Sequence, residues 1–215
     1  MIKIDVIFFD IDGTLVDSSV DIVAGVNATL KKLGIPRDKG SGEIMSYVGT
    51  GVKYLIRKSA GIDDDKTIDE GVKLFSDYFM KHAADNAKVY PHVGDILEYY
   101  KDKKKYIVTN RYERFADATL KGVGIRKYFG GIIAGDDESC LKPSVCVLDP
   151  VLLNTGVDRK KTMIVGDMAV DVMSGKNSGI KTCWVTYGLG KREDVEPLGP
   201  DYIIDDLIEL KGIVS

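Results

Sequence analysis

The 215-residue chain is poor in the residues that mark several common classes of protein. It has three cysteines and two histidines, and Cys140, Cys146 and Cys183 form no C-x-x-C pair. The sequence therefore indicates neither a disulfide framework nor a structural zinc site. A reducing compartment is the simplest interpretation, and we expect a cytoplasmic protein.

The sequence also lacks long apolar runs and an excess of charge of one sign. Residues 4–9 are apolar apart from Asp5, a run too short and too charged for a signal peptide or a membrane span. Thirty basic and 33 acidic residues give a net charge of −3, unlike proteins that coat nucleic acids or anionic lipids. We therefore expect a small-molecule partner, with no nucleic acid and no membrane. The oligomeric state is not indicated.

Short apolar runs alternate with segments of helical periodicity over most of the chain. The runs lie at residues 4–9, 106–108, 131–134, 162–165, 182–185 and 202–204, and helices are predicted at 95–102, 113–121, 148–155 and 168–178. Continuous apolar strands are typical of parallel sheets that are buried on both faces. The pattern predicts an α/β fold with a doubly wound, mostly parallel sheet.

Residues 15–85 interrupt this alternation with helical periods and no convincing strand. Apolar residues share two helix faces, one before Gly34 and one later: Val23, Val26, Leu30 and Leu33, then Ile68, Val72, Phe75 and Phe79. We predict an inserted all-helical domain at residues 15–85, so that residues 1–14 and 86–215 form the α/β domain.

The stretch FFDIDGT places Asp10 and Asp12 directly after the first apolar run. Residues two apart on extended chain point the same way, so the two carboxylates converge. Two like charges 4 Å apart repel by about 4 kcal/mol at an effective dielectric constant near 20. Mg²⁺ takes oxygen ligands and would offset this repulsion, and Asp167 supplies a third carboxylate. For an isolated D-x-D-G, a helix cap or an Asx-turn is the alternative.

Polar residues follow the other apolar runs as well. Ligands of open α/β sheets bind beyond the carboxyl ends of the strands, where Thr109, Lys142 and Asp167 are expected. Lys142 offers positive charge to a phosphate and Thr109 a hydroxyl, although a lone lysine is usually a solvated surface residue. Asp171 lies one turn into a predicted helix, where it either orients Lys142 or a metal-bound water, or caps the helix.

Four segments resemble, in order and spacing, the four motifs of the haloacid dehalogenase superfamily: DIDGT at 10–14, VTN at 108–110, LKP at 141–143 and GDMAVD at 166–171. The resemblance implies that Asp10 is a nucleophile that forms an aspartyl-phosphate. Asp12 would protonate the leaving oxygen and later activate water, and Thr109 and Lys142 would hold the phosphoryl oxygens. It also implies Mg²⁺ bound by the Asp10 carboxylate, the Asp12 main-chain carbonyl and Asp167. We expect supporting roles for Gly13, Thr14, Asn110 and Asp171.

The helical insertion resembles the cap of the phosphoglycolate phosphatase-like branch, through residues 12–22 and 47–61. This likeness implies that cap residues close over the substrate, namely Gly49, Thr50, Gly51 and Lys53, with a charge from Arg57. An exposed cationic helix face is the alternative for Lys53 and Arg57. Two features depart from the family pattern: Arg111 stands where a lysine is common, and the residues directly after Lys142-Pro143 lack the second proline and the acid that are frequent there.

The resemblance implies a Mg²⁺-dependent phosphomonoesterase acting on a small phosphorylated metabolite, with 2-phosphoglycolate as the first candidate. Pyrophosphate, a nucleoside monophosphate and a sugar phosphate are alternative substrates of the same chemistry. A receiver-like module phosphorylated on aspartate without turnover is an alternative of another class. It predicts neither a helical insertion of this length nor a second acid at Asp12.

Overall fold

A six-stranded parallel sheet forms the centre of the computed structural model, which describes residues 1–35 and 39–215. The strands are β1 (Val6–Phe9), β2 (Val16–Asp17), β3 (Lys88–Val89), β4 (Lys104–Val108), β5 (Gly131–Ile133), β6 (Thr162–Gly166), β7 (Lys181–Val185) and β8 (Tyr202–Ile204). The large sheet has the order β5-β4-β1-β6-β7-β8, and all its pairings are parallel. The α/β fold class is thereby confirmed, and each predicted apolar run contains a strand.

The central strand β1 shows why the strands read as continuous apolar runs. Ile7 and Phe9 belong to a hydrophobic cluster on one face of the sheet, whereas Val6 and Phe8 belong to a cluster on the other face. All four residues are buried. Because successive side chains point to opposite faces and helices cover both, no position of β1 tolerates a solvated polar residue.

Ten α-helices surround and extend this sheet. They are α1 (Ser19–Lys32), α2 (Ser41–Met45), α3 (Val52–Ala60), α4 (Asp65–His82), α5 (Val93–Tyr99), α6 (Glu113–Gly122), α7 (Asp149–Thr155), α8 (Ala169–Asn177), α9 (Arg192–Val195) and α10 (Leu210–Ile213), all within the described residues. The predicted helices between the strands correspond to α5, α6, α7 and α8. Their observed ends lie within three residues of the predicted ones.

Helices α1 to α4 pack around a hydrophobic cluster of their own. The faces predicted on α1 and α4 supply much of it, through Val26, Leu30, Ile68, Phe75 and Phe79. We call α1 to α4 the cap. The boundaries at residues 15 and 85 stay a prediction, whereas the expectation that residues 15–85 contain no strand is wrong. Strand β2 lies there and pairs antiparallel with β3, and two residues are too few to show a strand periodicity.

The expectation of no disulfide is also wrong. Cys140 and Cys146 are joined by a disulfide bond with a Cα–Cα distance of 5.7 Å, whereas Cys183 is free and buried. The intervening loop folds back on itself and carries Lys142, which sequence spacing alone does not reveal. In the described part of the chain, no helix combines the length and the apolar character needed to cross a membrane.

Gly71 of α4 tests how tightly the cap is packed. A Cβ atom there would lie 2.7 Å from Ile56 Cγ2 and 3.2 Å from Leu33 Cδ1. Alanine favours a helix over glycine by about 1 kcal/mol, but we expect overpacking to dominate. Gly71→Ala should lower the free energy of unfolding by about 1–2 kcal/mol in urea titrations.

Gly42→Ala is the matched control, because a Cβ on Gly42 of α2 would meet no described atom within 4 Å. This variant should be as stable as the parent or more stable, by up to about 1 kcal/mol. A Gly71→Ala protein that is no less stable than Gly42→Ala would contradict the close packing of α3 against α4.

Candidate active site

The carboxyl ends of four strands deliver polar residues to one edge of the sheet. Asp10 follows β1, Thr109 follows β4, Lys142 lies in the loop after β5, and Asp167 follows β6. Parallel strands end at the same edge, so residues far apart in the chain converge there. All four residues are buried, and three of them line a common cleft.

Lys142 is the centre of this cluster. Its Nζ atom donates to Asp10 Oδ1 at 2.8 Å, to Asp171 Oδ1 at 2.7 Å and to the Val108 carbonyl oxygen at 3.0 Å. Burial alone would lower the pKa of Lys142, but the two carboxylates outweigh it and hold the pKa above its usual value. The ammonium group is therefore charged, and its three N–H groups are all engaged.

Three buried carboxylates lie within reach of one ion. Asp10, Asp167 and Asp171 each offer one oxygen, and these oxygens lie within 4.8 Å of one another. Burial, followed by repulsion from the other two acids, raises the pKa of Asp167 well above its usual value. Burial also raises the pKa of Asp171 to about 6, although Lys142 opposes this shift.

Asp167 fits the role of a metal ligand. Its carboxylate accepts hydrogen bonds from Thr14 Oγ1 at 2.9 Å and from the Leu189 backbone N–H at 2.7 Å. Among the described residues, however, no basic side chain forms an ion pair with it. A fully buried carboxylate without a cationic partner is costly, and a hard divalent cation would remove that cost. The donor set is therefore compatible with Mg²⁺.

Gly13 and Thr14 lie against this acid. Gly13 has a φ of +82°, and a Cβ atom there would lie 2.2 Å from Asp167 Oδ2. Only glycine permits this approach of the turn to the carboxylate. The Thr14 carbonyl in turn accepts a hydrogen bond from the Tyr187 hydroxyl at 2.7 Å.

Asp12 lies beside Asp10 but has different partners. Its Oδ2 forms an ion pair with Arg111 Nε at 2.6 Å, and its Oδ1 accepts a hydrogen bond from the Ser18 hydroxyl. Burial raises the pKa of Asp12, Arg111 opposes the shift, and the Asp10 charge adds to it. The carboxyl is thus oriented at both oxygens and holds a proton more readily than a solvated aspartate.

Asp171 and Asn110 hold Lys142 from two sides. Besides binding the ammonium, Asp171 accepts a hydrogen bond from the Met168 backbone N–H at the start of α8, so it combines the two roles that the sequence left as alternatives. Asn110 accepts from the Lys142 backbone N–H at 2.7 Å. Thr109 lines the cleft, and its Oγ1 accepts from the Arg111 backbone N–H at 3.2 Å.

A cleft lies between this cluster and the cap. Gly49 and Gly51 line it, together with apolar cap residues, namely Ile22, Val48, Val52, Leu55, Phe75 and Phe79. The polar floor and apolar roof are typical of a small-molecule site.

The other expected cap residues lie in a neighbouring depression. Thr50, Lys53 and Arg57 line it. The Lys53 ammonium pairs with Asp69 at 2.8 Å, and Arg57 pairs with Asp63 and with Asp65. Substrate contact by these three residues stays a prediction, and the ion pairs agree better with the alternative of a charged helix surface.

Sequence reasoning missed Ser18 and Arg111 as site residues. Arg111 was noted only as a departure from a family pattern, and Ser18 carried no signal. Their shared partner Asp12 lies six residues from Ser18 and 99 residues from Arg111 in the chain. The position of Arg111 three residues after the end of β4 is the one available indication.

The chain is similar to known proteins over most of its length. The chain is 32% identical to a phosphoglycolate phosphatase of Aquifex aeolicus over 95% of both chains. It is 32% identical to a phosphoglycolate phosphatase of Pseudomonas putida, over 94% of this chain and 76% of that protein. The crystal structure of a predicted phosphoglycolate phosphatase from Haemophilus somnus superposes with a TM-score of 0.91 at 24% identity, covering 99% of both chains, and this likeness bears on the fold alone.

A family model also matches residues 7–185, which include all four motif segments. The resemblance drawn from those segments is thereby confirmed. The chain belongs to the haloacid dehalogenase-like hydrolase family.

Proposed function

We propose that the protein is a Mg²⁺-dependent phosphomonoesterase that forms an aspartyl-phosphate on Asp10, with 2-phosphoglycolate as its substrate. The observation that carries this proposal is the buried cluster in which Lys142 binds Asp10 beneath the cleft, with Asp12 alongside. The names of the relatives, which are phosphoglycolate phosphatases, support the substrate. Pyrophosphate, a nucleoside monophosphate and a sugar phosphate remain alternative substrates.

Asp10, Asp167 and the Asp12 main-chain carbonyl would hold the Mg²⁺ ion. When bound, the ion offsets the repulsion among the acids and the phosphate and orients the phosphoryl group for attack. The buried Asp167 carboxylate, which lacks a basic partner among the described residues, supports this assignment. The metal-candidate cluster also contains Asp171, but its oxygens are engaged by Lys142 and by the Met168 N–H.

The chain's own residues account for both halves of the reaction. A carboxylate oxygen of Asp10 attacks phosphorus, while the bond from phosphorus to the ester oxygen breaks. Asp12 donates its proton to that oxygen, and the alcohol leaves. Asp12 then takes a proton from water, which attacks the acyl phosphate and releases inorganic phosphate. Thr109 would hold a phosphoryl oxygen throughout, and the Lys142 ammonium, bound to Asp10, would offset the negative charge of the phosphoryl group.

Asp12 also argues against a receiver-like module that is phosphorylated without turnover. Such a module needs an acceptor and a lysine, but no second acid placed for proton donation. The raised pKa of Asp12 and its fixed orientation suit an acid-base role.

Residues 15–85 would act as a mobile cap that excludes water from the cleft.

The remaining expectations about partners and location rest on the sequence. A small phosphorylated metabolite is the proposed partner, without nucleic acid or membrane. A cytoplasmic location stays a prediction, and the Cys140–Cys146 bond removes one of the grounds on which it was made.

The central test is hydrolysis of a panel of phosphorylated metabolites, including 2-phosphoglycolate, pyrophosphate and p-nitrophenyl phosphate, with Mg²⁺ and with EDTA. We expect metal-dependent release of phosphate, highest with 2-phosphoglycolate. Asp10→Asn should lower kcat by about a thousandfold or more, since it removes the nucleophile. Its circular dichroism spectrum should match that of the parent.

Three outcomes of this panel would each contradict part of the proposal. Turnover that persists in EDTA would contradict the dependence on a metal ion. Substantial turnover by Asp10→Asn would contradict the assignment of Asp10 as the nucleophile. Activity confined to pyrophosphate would show that the substrate is pyrophosphate rather than 2-phosphoglycolate, and it would not contradict the aspartyl-phosphate mechanism.

The role of Asp12 predicts a dependence on the leaving group. Asp12→Ala should lower kcat/KM strongly for alkyl phosphates, whose alkoxide must be protonated, by about 10²–10⁴-fold. The loss should be smaller for p-nitrophenyl phosphate, whose phenolate leaves without a proton. Steady-state kinetics on both esters measure the difference, and equal losses would rule out acid catalysis by Asp12.

Asn110 connects the cap to the phosphate-holding lysine. Its Nδ2 donates to the carbonyl oxygens of Gly49 at 2.8 Å and of Lys142 at 3.1 Å. Gly49 belongs to the turn before α3, and a Cβ on it would lie 2.6 Å from Met168 Sδ. The cap turn thus contacts the loops that follow β4 and β6. Position of the cap and position of Lys142 therefore depend on one side chain.

Asn110→Ala should lower kcat/KM by about tenfold, which corresponds to about 1.4 kcal/mol. The variant loses the bond to the cap and both bonds to the Lys142 backbone. Asn177→Ala is the control, since exposed Asn177 donates to the neighbouring Pro143 carbonyl at 2.9 Å without touching the cleft. Equal effects of the two substitutions on kcat/KM would contradict the linking role of Asn110.

A further inference from the structure

The guanidinium of Arg111 lies between Asp12 and the cap, in the wall of the cleft. Its Nε pairs with Asp12, its Nη1 donates to Thr119 Oγ1 at 3.1 Å, and its Nη2 donates to Ser18 Oγ at 3.1 Å. Its Cζ lies 5.0 Å from the centre of the Phe79 ring in α4. The group is held in place on its edges and on one face.

Among the described residues that line the cleft, Arg111 and Lys142 are the basic ones. The three N–H groups of Lys142 already bind three oxygens. A guanidinium carries five N–H groups, and the contacts above engage one on each nitrogen. Each Nη atom of Arg111 therefore keeps a second hydrogen, and two such hydrogens match the two oxygens of a carboxylate.

The position of Arg111 relative to Asp12 decides which part of a substrate it meets. If Asp12 protonates the ester oxygen, then a cation 2.6 Å from Asp12 Oδ2 lies next to the leaving group rather than the phosphate. In 2-phosphoglycolate, the carboxylate carbon is two bonds from the ester oxygen. A carboxylate at that distance falls within reach of the side chain that already pairs with Asp12.

The cap side of the cleft wall is apolar, so that Arg111 is its main charged partner for a substrate anion. Val48, Val52, Leu55 and Phe75 surround the space on the cap side, and they offer no hydrogen bonds from their side chains. In such an apolar surrounding, an ion pair is stronger than in water, and an unpaired anion is more costly. A substrate anion placed there depends on Arg111.

We propose that Arg111 is a specificity-determining residue that selects phosphomonoesters with a carboxylate two bonds from the ester oxygen. This inference rests on the proposed phosphatase function and deepens it. The competing explanation is that Arg111 only orients Asp12. The two differ in outcome, because an orienting role affects all alkyl esters alike, whereas recognition affects only those with the carboxylate.

The test compares 2-phosphoglycolate with ethyl phosphate, in which a methyl group replaces the carboxylate. The parent protein with Mg²⁺ should prefer 2-phosphoglycolate in kcat/KM by about tenfold or more. Arg111→Met, which keeps an apolar stem, should reduce that preference by about tenfold or more, mainly through a higher KM for 2-phosphoglycolate. Arg111→Lys should restore part of the preference, because it restores the charge.

Arg114→Met is the matched control. Arg114 lies over the rings of Tyr112 and Phe115 and donates to Ser76 Oγ at 2.8 Å, and it is absent from the cleft lining. The Arg114→Met variant should keep the ratio of the two kcat/KM values close to that of the parent. It therefore distinguishes the specific effect of losing Arg111 from the general effect of losing any nearby arginine.

Two outcomes overturn the inference while leaving the phosphatase function in place. The first is a parent protein that hydrolyses both esters equally well, a result that does not depend on any variant folding. The second is an Arg111→Met protein that loses activity on both esters by the same factor. Absence of turnover on every ester, p-nitrophenyl phosphate included, would refute the phosphatase function and this inference with it.

Discussion

The burial of three carboxylates around one lysine is the constraint on which the rest of the site depends. Asp10, Asp167 and Asp171 carry three negative charges when ionised, and Lys142 carries one positive charge, so the cluster has a formal charge of −2. Like charges 4 Å apart repel by about 4 kcal/mol even at an effective dielectric constant of 20. Burial raises the pKa values of Asp167 and Asp171, and repulsion from Asp10 adds to both shifts. A divalent cation would neutralise this formal charge of −2.

The backbone around these acids is shaped to let them approach. A Cβ on Gly13 would lie 2.2 Å from Asp167 Oδ2, and one on Gly188 would lie 2.3 Å from the Asp167 Cβ. On the other side, a Cβ on Gly166 would lie 2.2 Å from the Asp171 Cγ. Glycines thus occur where main chain meets carboxylate, and they allow an arrangement that bulkier residues would prevent.

The site has two parts. The sheet edge supplies the charged groups, and the cap supplies an apolar roof with two glycines in its turn. Asn110 bonds to both parts, and Arg111 touches both through Asp12 and Phe79. These neighbouring residues after β4 therefore connect the cap to the charged groups at the sheet edge.

The sequence by itself determined the strands of the large sheet and the polar residues that follow them. Continuous apolar runs locate the strands because burial on both faces favours apolar side chains there, and the polar residues that follow the runs include Asp10, Asp12, Thr109, Lys142 and Asp167. Parallel strands then bring these residues to one edge whatever the details of packing.

Only the tertiary structure decided the contacts between side chains on distant segments. The ion pair of Arg111 with Asp12, the cystine formed by Cys140 and Cys146, the short β2–β3 pair and the acidic partners of Lys53 all belong to this group. None follows a period of two or 3.6 residues, because each depends on how loops and helices pack in space rather than on local backbone geometry.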